Sequence, residues 1–294
     1  MDVPLSAVRT IIEQALAEDV GWGDITTRAL VPPEHKGRAQ ALMKSDGILC
    51  GGEAFAMAFT VWDPSLQVEL LARDGAQVSK GDIVARVAGS AASILTAERV
   101  ALNLLQRLSG IATMTRRFVQ EVGELPTRGI ETRKTTPGLR LLEKYAVRVG
   151  GGSNHRFNLS DGVLIKDNHL AVMRTHGGDL AEAIQLAKRS VPLTIKVEVE
   201  VETVAEARAA AQAGADLILL DNMSLEDMRE SVQVIRAECP SERGRILVEA
   251  SGGITLETVK AIAGTGVDYA SSGALTHSFR ALDISLEMAV GLSA

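Results

Sequence analysis

Cysteine is nearly missing from this chain: Cys50 and Cys239 are the only two, and no paired spacing joins them, so a disulfide framework is not indicated. No charged-then-apolar leader opens the sequence, and the expectation is a cytoplasmic protein. Nowhere does an uninterrupted apolar run approach about 18 residues, which excludes a spanning helix. A basic excess is lacking too. The formal charge is −6, whereas surfaces that track nucleic-acid phosphates need a visible basic stripe, so any cationic site must be local. None of the five histidines stands in a spacing such as H-E-x-x-H, which disfavours zinc.

What is present is ample apolar material, 46% of 294 residues, enough for one large domain or two ordinary ones. From about Leu193 onward, β-rich runs alternate with helical patterns: "LTIKVEVEVE", "TVAEARAAAQAGA", "DLILLD", "SLEDMRESVQVIRAEC", "ILVEAS", "TLETVKAIAGTG" and "VDYASSG". Such βα alternation is the signature of a parallel sheet. "RGIET" and "DGVLI" fit the same scheme earlier and bring the strands to six. A complete eight-stranded barrel takes about 250 residues, more than this region has, so a reduced barrel is expected. The first hundred residues differ. "VELLARDGAQVSKGDIVARVAG" alternates around Asp74-Gly75 and Lys80-Gly81, which predicts tight antiparallel hairpins in a separate domain. A long helical pattern from Thr96, its expected N-cap, links the two.

In a parallel β/α array the residues just beyond the carboxyl ends of the strands converge on one face, where such folds bind ligands. Those ends read Thr132-Arg133-Lys134, Lys166-Asp167-Asn168, Glu198 with Glu200, Asp221-Asn222, Ser251-Gly252-Gly253 and Ser272-Gly273. All six are polar. In "KVEVEVE", period-two alternation sends Val197, Val199 and Val201 to the helix layer and Lys196, Glu198, Glu200 and Glu202 into the barrel. Buried carboxylates need cations or water. Glu200 and Asp221 on neighbouring tips suit Mg²⁺ shared with a substrate phosphate.

The glycine-rich tips "ASGGI" and "SSGAL" each precede a helical pattern, where backbone N–H groups can approach a phosphate. The cations have their own logic. Arg133, Lys134, Lys166, His155 and Arg156 would suit a small, multiply charged anion, because Arg in particular offers bidentate geometry to carboxylates. Arg99, expected in the first turn of the linker helix, is mildly unfavourable against the helix dipole and so is read as facing an anion.

"EDVGWGDITT", "ERVALNLLQRLSGIAT", "TRKTTPGLR", "GGGSNHRFNLSDGVLIKDNH", "EVEVET", "LLDNM", "EASGGI" and "SSGALTHS" resemble, in order and spacing, the quinolinate phosphoribosyltransferases. The resemblance implies an α/β fold: an N-terminal α/β sandwich domain, 1–110, joined by the C-terminal tail 275–294, and an open, incomplete α/β barrel of about seven strands, 111–274. It implies transfer of the phosphoribosyl group of phosphoribosyl pyrophosphate to quinolinate with decarboxylation, giving nicotinate mononucleotide, with Mg²⁺ as cofactor. It also implies a homodimer, or a hexamer of dimers, in which Arg99 completes the neighbouring site. Carried over by residue, Arg133, His155, Arg156 and Lys166 match the groups that hold the two carboxylates, with Thr132 beside them. Lys134, Glu200 and Asp221 match the phosphoribosyl-pyrophosphate and Mg²⁺ side. Ser251, Gly252 and Gly253 with Ser272, Gly273 and Ala274 match the 5′-phosphate cradle. The commoner phosphoribosyltransferase fold is disfavoured, since "LLDNM" has one acid and no Thr-Gly loop. The alternatives are a related phosphoribosyltransferase acting on another anion, and a phosphometabolite-binding barrel without catalysis.

Overall fold

The computed structural model describes residues 1–238 and 244–289; Cys239 lies outside them. In chain order the elements are α1 (Leu5–Val20), α2 (Ile25–Leu30), β1 (Lys36–Met43), β2 (Gly47–Ile48), α3 (Gly52–Trp62), β3 (Gln67–Leu70), β4 (Gln77–Val78), β5 (Ile83–Ser90) and α4 (Ala91–Val122). Next come β6 (Arg128–Ile130), α5 (Arg140–Val149), β7 (Val163–Ile165), α6 (Asp167–Arg174), α7 (Leu180–Ser190), β8 (Val197–Val201), α8 (Val204–Gln212) and β9 (Leu217–Asp221). The chain closes with α9 (Leu225–Ala237), β10 (Leu247–Ser251), α10 (Val259–Ala263), β11 (Tyr269–Ser271), α11 (Ala274–His277) and β12 (Ile284–Ala289).

Two compact units emerge. The first comprises Met1–Arg116, Thr135–Gly151 and the described part of Leu275–Ala294; the second comprises Arg117–Lys134 and Gly152–Ala274. This division departs from a barrel of 111–274 at the segment carrying α5. The reason is polar as well as apolar. Glu143 of α5 is fully buried and accepts from Arg107 Nε at 2.9 Å and from the Thr136 amide at 3.1 Å, while the Tyr145 hydroxyl donates to Asp74 at 2.6 Å. A buried carboxylate without such partners would cost several kcal/mol, roughly, so these bonds hold α5 in the first unit.

The first unit carries a four-stranded sheet in the order β12-β1-β5-β3, with β2 and β4 pairing separately. All three pairings of the larger sheet are antiparallel. The expected consecutive hairpins do not form, because β3 pairs with β5 and β4 pairs with β2. The chain still turns at Asp74-Gly75, where the Ala76 amide donates to the Arg73 carbonyl at 3.1 Å, while the Asp74 carboxylate accepts from the amides of Gly51 and Gly52, at 3.0 and 2.9 Å, and caps the N-terminus of α3. The α4 helix also starts earlier than the sequence suggests. Ser90 accepts the Ser93 amide at 3.3 Å, whereas the Thr96 hydroxyl donates back to the Ala92 carbonyl at 2.9 Å inside the helix. Arg99 is therefore beyond the first turn, and the dipole argument for it lapses. Gly110 lets the returning C-terminal segment approach α4, since a Cβ there would lie 2.4 Å from the Arg280 carbonyl oxygen.

In the second unit six parallel strands run β6-β11-β10-β9-β8-β7. The seventh position implied by the family is a single parallel bridge, Ile130 to Ser153, on the outer edge of β6. Among the described residues no ladder joins Ser153 to β7, so the barrel is open there. Val197, Val199 and Val201 are buried against the helix layer, as the alternation requires. Thr203 and Ser224 cap α8 and α9 just after the tips of β8 and β9, and Asp179 caps α7 after α6, each accepting an amide three residues on. At the opposite ends of the strands, Asp216 and Asp268 accept the amides of Val197 and Val248, each at 2.8 Å, which ties the loops leading into β9 and β11 to the neighbouring strand.

Candidate functional site

The carboxyl ends of these strands gather every predicted site residue except Arg99. Arg99 is exposed on α4 and belongs to the first unit. After β6, Glu131 is fully buried; its Oε2 accepts from Asn154 Nδ2 at 2.8 Å and its Oε1 from the His155 amide at 3.2 Å. One carboxylate thereby pins the 154–156 loop beside Thr132, Arg133 and Lys134. The Thr132 hydroxyl accepts the Lys134 amide at 3.1 Å, which turns the chain after the strand and leaves Lys134 exposed with Arg133 half-buried. Arg156 stands within electrostatic reach of Arg133. Burial, and then the Arg133 charge, lower its pKa from the ordinary arginine value, while Glu198 opposes the shift. Two guanidiniums held close together are a place where a dianion lowers the energy.

The ladder register sets the next pair. Ile165 faces Val199, so Lys166 and Glu200 fall opposite one another just beyond, and the ammonium is ion-paired with Glu200 Oε2. The cationic and acidic sides of the site meet at this junction. On β9, Asp221 accepts from Asn222 Nδ2 at 2.7 Å, and Asn222 adopts a left-handed φ of 52°. Its amide donates to the Ser251 carbonyl at 3.0 Å. Gly252 is required here: its φ is +92°, and a Cβ would sit 2.2 Å from Asn222 Oδ1. The two glycine tips lead into different structure. α11 begins directly after Gly273, whereas Gly253 enters a turn, and α10 starts only at Val259. The Ser272 hydroxyl donates to the Ile254 carbonyl at 2.7 Å, which joins the two tips.

His155 points elsewhere. Its Nε2 lies 3.2 Å from Glu198 Oε2 and 3.5 Å from Glu249 Oε2, and both glutamates are buried. The three ligand atoms lie within 4.8 Å of one another, a spacing a metal could use. The tautomer argues against one. Nδ1 accepts the Arg156 amide at 2.7 Å, so it carries no proton; the proton of a neutral ring is then on Nε2, the atom that would have to ligate. The carboxyl of Glu249 is pushed up to about 8, first by burial and then by the Glu198 charge. A cavity of about 590 Å³ opens over this cluster and is lined by Ile130, His155, Arg156, Glu198, Glu249 and Tyr269, among others. It takes in His155 and Arg156 of the predicted set but not Lys166, Asp221 or Ser251. Its lining also includes Arg128, Leu217 and Leu247, which with Tyr269 are the first residues of β6, β9, β10 and β11, so the cavity reaches toward the amino ends of the strands, away from the tips.

Sequence reasoning overlooked Glu249. Leu247, Glu249 and Ser251 alternate as Lys196, Glu198 and Glu200 do, so the same period-two reading of "ILVEAS" would have turned Glu249 inward.

Comparison with known proteins settles the family. Residues 24–109 match the N-terminal domain, and residues 111–287 the C-terminal domain, of quinolinate phosphoribosyl transferase. The chain belongs to the quinolinate phosphoribosyltransferase family. It is 43% identical over 277 residues to the probable nicotinate-nucleotide pyrophosphorylase [carboxylating] of Synechocystis, covering 94% of this chain and 91% of that protein. The Bacillus subtilis protein of the same name is 43% identical over 281 residues, covering 96% and 93%. The crystal structure of NadC from Streptococcus pyogenes superposes with a TM-score of 0.90 at 42% identity, covering 98% of each chain. Quinolinate phosphoribosyltransferases thus share this chain's whole fold, the open barrel together with the N-terminal sheet domain. Among the described residues no helix is long and apolar enough to cross a membrane, and the Arabidopsis relative is described as chloroplastic.

Proposed function

We infer that this chain catalyses transfer of the phosphoribosyl group of phosphoribosyl pyrophosphate to quinolinate, with loss of CO₂, giving nicotinate mononucleotide and pyrophosphate for NAD biosynthesis. The observation that carries the reading is the meeting of Lys166 and Glu200 at one strand junction, with Arg133 and Arg156 on the cationic side and Asp221 and Gly252 on the other. In the proposed pose Arg133, Arg156 and Lys166 hold the two carboxylates of quinolinate. Lys134 takes the pyrophosphate end of the second substrate. Ser251 to Gly253 and Ser272 to Ala274 receive its 5′-phosphate.

Fixed positive groups hold the pyridine ring so that its nitrogen faces the anomeric carbon, which converts a bimolecular encounter into an oriented one. The ring nitrogen forms a bond to that carbon as the carbon–oxygen bond to pyrophosphate breaks, and the electron pair leaves with pyrophosphate. Positive charge develops on the sugar, and the carboxylates of Glu200 and Asp221 stand on the side where they would stabilise it. The quaternised ring then draws in the electrons of the adjacent carbon–carboxylate bond. CO₂ departs and the carbon takes up a proton. Glu200 and Asp221 are hard oxygen donors without thiol or imidazole neighbours on their tips, a set that fits Mg²⁺ completed by phosphate and water. When bound, that ion would neutralise charge on the departing pyrophosphate.

We place the working enzyme in a homodimer, with Arg99 completing the neighbour's site; the hexamer implied by the family is a further assembly of the same dimer. Supporting this, Arg99 is exposed, and Trp22, Ile25 and Leu30 expose large apolar side chains in the same unit. A cytoplasmic location is in keeping with the free, buried thiol of Cys50. Protein incubated with Mg²⁺, phosphoribosyl pyrophosphate and quinolinate should release CO₂ and pyrophosphate, while nicotinate reacts poorly. Turnover of nicotinate with none of quinolinate would reverse the assignment.

A further inference from the structure

Asn222 stands out by its backbone. Among the described residues it is the only one besides glycine with a positive φ, 52°, and it sits at the tip of β9, directly after Asp221. The left-handed region crowds Cβ against the backbone, and asparagine tolerates it better than most residues because its short amide can bond locally. Here the local bond goes to a site residue. Nδ2 donates to Asp221 Oδ2 at 2.7 Å, and since an ionised carboxylate can only accept, the amide must present its nitrogen on that side.

The other side of the same amide meets the neighbouring strand. A Cβ on Gly252 would lie 2.2 Å from Asn222 Oδ1 and 2.9 Å from Nδ2, so the amide fills the space that a side chain at 252 would occupy. The backbone makes a second tie, from the Asn222 amide to the Ser251 carbonyl at 3.0 Å, and the ladder register places Asp221 opposite Ser251. One residue therefore joins the acid on the β9 tip to the glycine tip after β10. With Asp221 Oδ2 held, Oδ1 can turn to a ligand. A turn that needed only a left-handed backbone would be served as well by glycine, which has no Cβ to clash.

In the proposed pose these two tips receive two parts of one substrate: Asp221 faces the sugar, and Ser251 to Gly253 take its 5′-phosphate. Their spacing matters, because about 1 Å of misplacement can cost on the order of a hundredfold in rate. We propose that Asn222 is a positioning residue for phosphoribosyl pyrophosphate: its side-chain amide fixes the Asp221 carboxylate and sets its distance from the phosphate cradle. Asn222 acts through Asp221. This rests on the reading of Asp221 and the glycine tip as parts of the phosphoribosyl site. It explains why asparagine, and not glycine, stands in a left-handed position, and why glycine is required opposite it at 252.

The test uses the full-length assembled enzyme with Mg²⁺. Asn222→Gly accepts the left-handed backbone and keeps the amide bond to Ser251, so it removes the side chain alone. KM for phosphoribosyl pyrophosphate should rise about tenfold, the scale of one hydrogen bond to a charged group, while KM for quinolinate stays within about twofold. Asn222→Asp keeps the shape but has no donor for Asp221, and it should weaken the same KM at least as much. If Asn222 only shaped the turn, Asn222→Gly would match wild type, and that result overturns the proposal. A double-mutant cycle reads the dependence on Asp221: in an Asp221→Ala background, Asn222→Gly should change KM for phosphoribosyl pyrophosphate by less than about threefold, whereas a further loss of about tenfold would show that Asn222 does not act through Asp221. Binding is followed separately by titration calorimetry, in which phosphoribosyl pyrophosphate should bind wild type about tenfold more tightly than Asn222→Gly; equal affinities overturn the proposal. Protein that binds phosphoribosyl pyrophosphate but leaves quinolinate unreacted would sink the functional reading, while the calorimetry would still judge Asn222.

Discussion

Replacing Glu249 with glutamine should change how stability depends on pH. The carboxyl is 1% exposed, and burial together with the Glu198 charge pushes it up to about 8 from an ordinary value of 4.5. Between those values the folded chain holds a proton that the unfolded chain has released. The group's stabilising effect is therefore fully present below the unfolded value and is lost as pH rises through the folded one. At about 1.36 kcal/mol for each pH unit, the whole window is worth on the order of 4–5 kcal/mol. Glutamine keeps the shape and never ionises, so the variant should lack this slope and gain on wild type from pH 5 to pH 9. Both tryptophans, Trp22 and Trp62, lie in the first unit, so fluorescence would follow the wrong part of the chain. Hydrogen exchange of peptides covering β9 to β11, corrected for intrinsic rates, reports the barrel directly. Wild-type protection there should fall across the window by up to about a thousandfold relative to Glu249→Gln, the equivalent of that energy at roughly 1.4 kcal/mol per factor of ten. Parallel pH profiles for the two proteins would refute the reasoning and mean that Glu249 is ionised in the folded barrel at neutral pH.

The same geometry sets four further outcomes. Lys166→Ala removes one proposed carboxylate ligand and frees Glu200; kcat/KM for quinolinate should fall by about 10–100-fold, the size of a charge-assisted bond, as read by CO₂ release. Gly252→Ala forces a side chain onto a backbone at φ +92° and into Asn222, so KM for phosphoribosyl pyrophosphate should rise steeply while isothermal titration still detects quinolinate. Mixing the impaired Arg99→Ala and Lys166→Ala proteins should give hybrid dimers more active than either variant alone; exchange of subunits without that gain would show that Arg99 does not act across an interface. Arg107→Met strands the fully buried Glu143, and unfolding followed by tryptophan fluorescence should lose on the order of 3 kcal/mol.

Periodic features of this fold are legible in the sequence, and aperiodic ones are not. The six parallel strands announce themselves because each is a short apolar run leading into a helical pattern, and the row Glu198, Glu200 comes from alternation alone. Pairing over long separations does not announce itself. β12 joins β1 across most of the chain, and β3 skips β4 to reach β5, with Asp74 between β3 and β4 bonded to the N-terminus of α3, a contact no strand pattern signals. Thr96 shows how a local rule misleads: a threonine before a charged, apolar-periodic segment reads as a cap, but its hydroxyl is satisfied by Ala92 one turn back, so the helix that carries Arg99 begins earlier.

The loop of residues 151–162 is the hardest part, and it is also where the chemistry concentrates. It has no period, so sequence can name His155 and Arg156 as neighbours but cannot say that one ring nitrogen serves the next residue's amide while the other faces two buried acids. Residue type alone leaves His155 as either a loop-stabilising group or a donor to the ligand. In this structure Nδ1 accepts the Arg156 amide at 2.7 Å and Nε2 lies 3.2 Å from Glu198 Oε2, so a contact between the ring and a substrate carboxylate would require the imidazole to turn. With the ring so placed, dianion recognition would rest on Arg133, Arg156 and Lys166. A site built on them should bind quinolinate with little pH dependence where histidine ionises, between about pH 6 and 7. If quinolinate affinity instead falls away as pH rises through that range, and His155→Gln abolishes the fall, the imidazole is a charged ligand after all and the inward orientation does not describe the working enzyme.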